Sequence, residues 1–253
     1  MGERAREGKT THFGYADISA VRKGPAVRRV FDSVARRYDL MNDLMSLGVH
    51  RLWKAALVDR LNPQPGMHLL DVAGGTGDVA FRFLDRLRGE ATATVCDVNL
   101  AMMSAGRDRA ASVGIRGELR WVCGNAEALP LVDDSADAYT IAFGLRNVTD
   151  IEAALVEARR VLRPAGHFLC LEFSRLGLPM LSALYDRYSF AVIPRLGQAV
   201  TGDRAAYQYL VESIRRFPPQ EELAEMIAAA GLERVAIRNL SGGIAAIHSA
   251  WRI

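Results

Sequence analysis

Apolar residues recur with a helical period near the start of the chain. Val27, Phe31 and Val34 lie three or four positions apart, and the opposite face of such a helix carries Arg28, Arg29, Arg36 and Arg37. This pattern is typical of an amphipathic helix. A second helical stretch runs from 49 to 61 and ends at the breaker cluster of residues 62–66. The pattern therefore predicts two helices ahead of the main fold.

After residue 66, short apolar runs alternate with helical segments. This alternation predicts an α/β fold whose mostly parallel sheet is covered by helices on both faces. Two final apolar runs, joined through a glycine pair, predict a terminal antiparallel hairpin. The predicted parallel strands are residues 67–72, 93–98, 119–123, 138–143 and 167–173, and the predicted hairpin strands are residues 232–239 and 244–251.

The domain organisation follows from the same pattern. We find no internal repeat and no long linker, which predicts a single domain over residues 26–253. Residues 1–25 are polar and without period, and they are expected to form a loosely ordered lead-in. Two helical segments, residues 26–62 and 174–217, lie outside the strand–helix alternation and are interpreted as appendages of the α/β core.

Composition narrows the class of protein. The 253 residues are 50% hydrophobic and 24% charged, which is ordinary for a globular protein. No window approaches twenty uninterrupted apolar residues, and the first residues lack the apolar stretch of a secretory signal. Cys96, Cys123 and Cys170 are odd in number and have no C-x-x-C spacing, so we expect reduced, strand-buried thiols in a cytoplasmic protein. No metal-ligand spacing is present, and no metal is expected.

The net charge of +3 is distributed unevenly. Residues 1–60 hold 12 Lys and Arg against 7 Asp and Glu, and residues 174–217 hold 6 against 3. The basic excess therefore lies in two segments that flank an acidic core. The excess is too small for a nucleic-acid groove. Two interpretations of the basic segments remain: a solvated surface without a partner, or a surface that binds an anionic partner.

A glycine-rich turn after the first predicted strand is the candidate ligand site. Asp71 is followed by Gly74, Gly75, Thr76 and Gly77, where a helix begins and its free N–H groups face a ligand. The loose dinucleotide pattern G-x-G-x-x-A is satisfied, and a carboxylate, the Asp97 side chain, lies 20 residues after its second glycine. The turn alone is compatible with a nicotinamide dehydrogenase.

Three features favour S-adenosylmethionine as the ligand. The Asp71 carboxylate suits the methionine ammonium and would repel a pyrophosphate. Asn125 and Ala126, just after the third predicted strand, can offer amide contacts to an adenine ring. The terminal hairpin gives the sheet a reversed last strand, which is common in the methyltransferase version of this fold.

Several motifs resemble one family of enzymes. Residues 38–53 have the pattern Y-D-x-M-N-x-x-x-S-x-x-x-H-x-x-W, which is similar to the N-terminal signature of the ubiquinone/menaquinone-biosynthesis C-methyltransferases. Residues 160–174 resemble the family's second signature, with Arg163 in place of Lys and Ala165 in place of Gly. Residues 124–130 and 143–149 match further blocks, and the likeness runs from about residue 27 to the C-terminus.

The resemblance implies a class I S-adenosylmethionine-dependent methyltransferase that methylates a ring carbon of a polyprenylated quinol. Carried over by position, Thr76, Asp97, Asn125 and Ala126 fall on cofactor-binding positions. The two appendages, residues 26–62 and 174–217, then cover the cofactor and form the acceptor pocket. A non-catalytic, quinone-binding member of a biosynthetic complex is an alternative, although its cofactor turn would be expected to be damaged.

Four residues are candidates for the acceptor side. An aromatic carbon becomes nucleophilic when its quinol oxygen carries anionic character, and a phenol such as Tyr titrates only near pH ~10. Arg146, after the fourth predicted strand, is the first candidate to stabilise that oxyanion, and Asn147 could orient the same oxygen. Their alternative role is to cap a helix or pair with a carboxylate. His50 and Tyr38 are candidates for substrate binding, with His50 as a proton acceptor or as a residue that fixes its own turn.

The substrate also predicts partners and location. A polyprenylated quinol resides in the bilayer, so we expect a cytoplasmic enzyme that meets the inner face of the membrane. Arg-bearing apolar faces, at Val27, Phe31 and Val34 and at Leu181, Leu184 and Tyr188, are candidates for peripheral contact. The alternative is that these faces pack on the core, on a second copy in a homodimer, or within a biosynthetic complex. The sequence does not distinguish a benzoquinol from a naphthoquinol acceptor.

Overall fold

The computed structural model describes residues 10–34, 43, 46, 48–174 and 204–253. Tyr38 and most of the signature around it lie outside these described residues. The same holds for residues 175–203, which form most of the segment interpreted as an insertion and include Leu181, Leu184 and Tyr188.

A seven-stranded sheet forms the centre of the molecule. Its strands are β3 (His68–Val72), β4 (Thr92–Asp97), β5 (Glu118–Cys123), β6 (Ala136–Ala142), β7 (Leu162–Phe173), β8 (Glu233–Leu240) and β9 (Ala245–Trp251). Their spatial order is β5-β4-β3-β6-β7-β9-β8, and the first five strands in this order are parallel. Strand β9 runs antiparallel to both β7 and β8. The predicted fold class, a mostly parallel sheet with a terminal antiparallel hairpin, is thereby confirmed.

Helices cover both faces of the sheet, because successive side chains along each strand point to opposite faces. The helices are α1 (Ala20–Val34), α2 (His50–Leu61), α3 (Asp78–Arg86), α4 (Leu100–Val113), α5 (Ile151–Val161), α6 (Arg204–Arg216) and α7 (Gln220–Ala229). Leu69 contributes to an apolar cluster on one face with α2, α3 and α6, whereas Leu70 contributes to a cluster on the other face with α5 and α7.

The N-terminal region differs from the prediction. Thr10–Phe13 (β1) and Ala16–Ser19 (β2) form an antiparallel hairpin in the segment that was expected to be a loosely ordered lead-in. Helix α1 begins at Ala20, six residues before the predicted start, and it contains Pro25. Hairpin and helix are held by tertiary contacts, which a search for local periodicity does not detect.

Two apolar positions of α1 face the protein. Val27 is buried and Phe31 is half-buried, and both line a cavity at the edge of the sheet. These positions fit the alternative in which this face packs on the core, and membrane contact stays a prediction. Among the described residues, no helix is long and apolar enough to cross a membrane.

Strand β7 contains the turn that was predicted before it. Leu162 pairs with Ala136 and His167 pairs with Ala138, so four residues on β7 oppose a single residue on β6. Ala165 in this bulge has a φ of +63°, a conformation favoured by glycine. The bulge lies just after α5, and it sets the register in which the rest of β7, including Glu172, pairs with β6.

The three cysteines are free thiols. Cys96 and Cys170 are buried within strands, as predicted, and burial raises the pKa of Cys96 to about 12. Cys123 is exposed, in contrast to the prediction, because it is the last residue of the edge strand β5.

Candidate active site

A cavity of about 560 Å³ opens at the carboxyl ends of the parallel strands. It is lined by the segments that follow β3, β4, β5 and β6, and helix α1 and Lys54 of α2 complete the wall. Ligands of open α/β sheets bind at this edge, and pockets for small molecules typically measure roughly 300–1,000 Å³. The cavity is therefore the candidate active site.

Asp71 is a buried carboxylate at the end of β3 that lines this cavity. Its Oδ1 accepts a hydrogen bond from the Thr140 hydroxyl at 2.8 Å, while its Oδ2 has no hydrogen-bond partner within the described residues. Burial raises the pKa of Asp71 to about 7, and the Thr140 hydrogen bond and the positive charge of Lys54 oppose that shift. A buried acceptor oxygen without a partner fits a cationic or hydrogen-bond-donating ligand group.

The glycine turn lies beside this carboxylate. Gly75 and Gly77 have φ values of +55° and +78°, which residues other than glycine rarely adopt. A Cβ atom at Gly75 would lie 3.0 Å from the terminal methyl of Met102. The turn therefore leaves backbone open to the cavity, and Thr76 lines it next to these glycines.

Asp97 lies across the turn, at the end of β4. Its Oδ2 accepts the Gly75 backbone N–H at 2.8 Å and its Oδ1 accepts the Asn99 backbone N–H at 2.8 Å. Burial raises the pKa of Asp97, and these backbone hydrogen bonds oppose the rise. The structure thus brings together two residues, Gly75 and Asp97, that sequence spacing predicted for one site.

Asn125 and Ala126 line the cavity after β5, as the sequence predicted for a ring-binding segment. The Asn125 Oδ1 accepts the backbone N–H of Glu127 at 3.1 Å, and Ala126 is buried. Glu127 in turn accepts backbone N–H groups of Thr149 and Asp150, so it ties this segment to the one that follows β6.

Arg146 is held away from the cavity. It belongs to a 3₁₀ turn (Leu145–Asn147) after β6, and its Nη1 donates to Glu172 Oε2 at 3.0 Å and to the Phe143 carbonyl. The ion pair is buried, and the guanidinium also lies over the Phe173 ring. Burial raises the pKa of Glu172 while Arg146 opposes the rise. These contacts fit the alternative in which Arg146 pairs with a carboxylate, because a buried guanidinium needs such a partner. A direct contact of Arg146 with a quinol oxygen stays a prediction.

Asn147, the next residue, does line the cavity. Its Oδ1 accepts a hydrogen bond from the Tyr209 hydroxyl at 3.0 Å, and Tyr209 stacks on Phe13 of the N-terminal hairpin at 4.2 Å between ring centroids. Helix α6 and the hairpin therefore hold the Asn147 side chain. This connection joins segments about 200 residues apart along the chain and was not visible in the sequence.

His50 does not line the cavity among the described residues. Its Nδ1 lies 3.0 Å from the Ser46 hydroxyl and 3.6 Å from Asp43 Oδ1, at the start of α2. Trp53 in the same helix packs edge-on against Phe173 and donates its indole N–H to Ser241. These contacts fit the alternative in which the histidine fixes its own turn.

Sequence reasoning missed an ion-pair cluster at the cavity wall. Lys54 is buried, lines the cavity and pairs with Asp78 at 3.1 Å, and Asp78 also pairs with Arg82 and Arg109. Burial would raise the pKa of Asp78, but the three cations together hold it well below its ordinary range. Asp78 follows the glycine turn directly, and a carboxylate at that position was the feature of the sequence from which the cluster could have been predicted.

The sheet with its reversed last strand, the glycine turn and the two carboxylates define a class I S-adenosylmethionine-dependent methyltransferase. Solved structures support the fold. A SAM-dependent methyltransferase of Thermotoga maritima matches with a TM-score of 0.62 at 20% identity and covers 89% of this chain and 99% of its own. One from Aquifex aeolicus matches with a TM-score of 0.56 at 15% identity over 79% of this chain and 89% of its own.

The chain belongs to the ubiE/COQ5 methyltransferase family, whose model matches residues 19–252. It is 60% identical to the ubiquinone/menaquinone biosynthesis C-methyltransferase UbiE of Paracoccus denitrificans over 98% of both chains. It is 50% identical to the mitochondrial 2-methoxy-6-polyprenyl-1,4-benzoquinol methylase of Danio rerio, over 98% of this chain and 86% of the relative. The resemblance stated from the sequence is confirmed, and the enzyme uses S-adenosylmethionine.

Proposed function

We propose that this enzyme transfers the methyl group of S-adenosylmethionine to a ring carbon of a polyprenylated quinol in ubiquinone or menaquinone biosynthesis. The observation that carries this proposal is the 60% identity over 98% of both chains with a relative named for that C-methylation. The intact glycine turn counts against the non-catalytic alternative, for which a damaged cofactor turn is expected. The Asp71 carboxylate counts against the dehydrogenase, because it would repel a pyrophosphate.

The residues of the cavity fit the donor group by group. We assign Asp71 to the methionine ammonium, since its Oδ2 is buried without a hydrogen-bond partner among the described residues. Asp97 is assigned to the ribose hydroxyls, and Asn125 with Ala126 to the adenine. Gly75 and Thr76 line the same cavity, and their backbone would hold the methionine portion. When bound, S-adenosylmethionine supplies an electrophilic methyl group.

On the acceptor side, the protein has to hold the quinol ring and favour its anionic form. Asn147 lines the cavity, its Oδ1 accepts from Tyr209, and its Nδ2 donates a long hydrogen bond to the Phe143 carbonyl at 3.4 Å. One amide N–H of Asn147 is therefore left to donate to a quinol oxygen. Arg146 acts as a positioning residue, because it fixes the turn that carries Asn147 through Glu172. The quinol ring carbon would form the new C–C bond as the methyl–sulfur bond breaks and S-adenosylhomocysteine leaves. The proton on that carbon would then pass to water, which restores the aromatic quinol.

Tyr38 and His50 remain proposals for the acceptor pocket. Tyr38 lies outside the described residues. His50 is buried beside Ser46 at the start of α2.

The assay that tests this proposal uses radiolabelled S-adenosylmethionine and vesicles containing either a reduced benzoquinol or a reduced naphthoquinol with a polyprenyl chain. We expect label in at least one quinol. Asn147→Ala should lower kcat about 10- to 100-fold with the donor Kd unchanged, because the lost contact is to the acceptor. Asn239→Ala, an exposed position on the edge strand β8, is the matched control. Donor binding without label in either quinol contradicts the proposal.

We further propose that the enzyme works at the inner, cytoplasmic face of a membrane, where its substrate resides. The basic excess of residues 1–60 and 174–217 supports this location, since anionic lipid attracts such segments. Assembly into a homodimer or a biosynthetic complex stays a prediction from the sequence.

A further inference from the structure

Lys23 on α1 has a side chain that is 2% exposed, unlike most lysines in proteins. Its Nζ donates a hydrogen bond to the Val148 carbonyl at 2.9 Å, across 125 residues of sequence. Val148 lines the active-site cavity immediately after Asn147. The ammonium therefore joins α1 to the segment that follows β6.

A second contact joins the same helix to the opposite side of the cavity. Asp32, nine residues further along α1, accepts a hydrogen bond from the Asn99 side chain at 2.8 Å. Asn99 follows β4 and caps α4. Nine residues of helix span about 13.5 Å, and between the two contacts Gly24, Val27 and Phe31 line the cavity. Helix α1 thus reaches across the cavity and is fastened on both sides.

The Lys23 contact carries an energetic cost that a surface residue would avoid. Burial lowers the pKa of Lys23 to about 8, and the negative charge of Glu127, another cavity-lining residue, opposes the shift. The neighbouring Arg22 on the same helix is exposed. The helix could have placed a lysine in solvent one position earlier. The buried ammonium of Lys23 is instead used for the hydrogen bond to Val148.

We propose that Lys23 is a positioning residue that fastens α1 over the donor cavity and thereby slows the release of S-adenosylmethionine. The proposal deepens the function proposed above and rests on its assignment of this cavity to the donor. The residue itself takes no part in methyl transfer. Its effect is on how long the donor is retained.

The test compares Lys23→Met with the wild-type enzyme. Radiolabelled S-adenosylmethionine is bound, and its dissociation is followed after addition of excess unlabelled donor. Loss of a charge-assisted hydrogen bond corresponds to about a tenfold change. We therefore expect dissociation about ten times faster and a donor KM raised by a similar factor, with kcat at saturating donor nearly unchanged. A loss of folded protein would instead lower kcat and leave dissociation from the folded fraction unaltered.

Arg22→Met is the matched control, because it removes one positive charge from the adjacent, exposed position and should leave dissociation unchanged. A folded Lys23→Met enzyme with the wild-type dissociation rate and donor KM overturns the proposal. If the wild-type enzyme binds no donor at all, the donor assignment fails instead.

A measurement on the wild-type protein covers the case in which Lys23→Met does not fold. Hydrogen exchange of the α1 amides is followed with and without saturating S-adenosylmethionine. We expect the donor to slow exchange at residues 24–32 about tenfold, since a helix fastened over the donor must open to exchange. Unchanged exchange there, with slowed exchange in the glycine turn, overturns the proposal.

Discussion

Asp71 is a buried carboxylate that lines the donor cavity, and this single position couples donor binding to pH. Its pKa of about 7 lies above the ordinary value of 3.8 because of burial. The free protein therefore binds a proton there below neutral pH. An ammonium ligand favours the ionised form, so that proton must leave on binding.

We expect donor affinity to rise with pH between 5.5 and 7. One unit below the pKa, about nine in ten Asp71 side chains are protonated, which weakens binding about tenfold. The range ends at pH 7 because α-amino groups, such as that of the donor, titrate from about 7.7. Calorimetry in buffers of different ionisation enthalpy measures the proton released.

Asp71→Asn should bind the donor weakly at every pH in this range, and Asp85→Asn, an exposed position on α3, should retain the wild-type profile. A wild-type affinity that is flat from pH 5.5 to 7 contradicts the assignment of Asp71 to the ammonium.

The Arg146–Glu172 pair gives a second prediction at the scale of residues. Arg146→Met leaves a buried carboxylate without its cation, and we expect unfolding to become easier by about 3–5 kcal/mol. Combining it with Glu172→Met removes both charges and should recover most of that stability. Denaturant unfolding of the single and double variants checks this. A double variant as unstable as the single one would contradict the pairing as the source of the loss.

The spacing of the sequence indicated which residues share this edge, because the carboxyl ends of parallel strands lie side by side. Asp71 and Asp97 lie at the ends of neighbouring strands and Gly75 lies in the turn after the first, so the three had to meet. Arg146 follows such a strand too, but the direction of its long side chain depends on Glu172 in the neighbouring strand. A partner found only through sheet pairing cannot be predicted from the spacing around Arg146.

At the scale of elements, the parallel strands and covering helices were predictable, whereas the N-terminal hairpin was not. Strands such as β3 are short and mostly apolar, as is typical of a parallel sheet that is buried on both faces. The hairpin has short polar strands joined through Gly14, whose φ of +58° suits a two-residue turn. The Tyr15 N–H donates to Glu212 on α6, a contact from the far end of the chain.

The start of α3 gives a prediction for an element boundary. Gly77 has a φ of +78°, and a Cβ there would lie 2.9 Å from the Trp121 ring. Gly114, after α4, has a φ of +65° with no atom within 4 Å of such a Cβ. We expect Gly114→Ala to cost about 1–2 kcal/mol for the backbone alone. Gly77→Ala should cost about 2–5 kcal/mol and weaken donor binding as well.

Thermal unfolding and donor titration measure the two variants side by side. Equal losses of stability, or wild-type donor affinity in Gly77→Ala, would show that the space around the turn does not matter.

At the scale of the whole molecule, the basic excess in two segments gives a prediction for membrane contact. We expect the protein to float with vesicles of anionic lipid at low salt and to be released at high salt, because exposed charges are screened within about 10 Å at 0.1 M. Vesicles of neutral lipid are the control. No flotation with anionic vesicles at low salt contradicts peripheral attachment.

The contact of Tyr209 with both Phe13 and Asn147 has a consequence for how the enzyme comes into being. A ribosome must release the chain through α6 before the N-terminal hairpin meets the helix against which it stacks. Until then, the amide that we assign to the acceptor lacks its support. Methyl transfer should therefore begin only after α6 has been synthesised, and fragments that end before residue 204 should be inactive even where their parallel strands have formed.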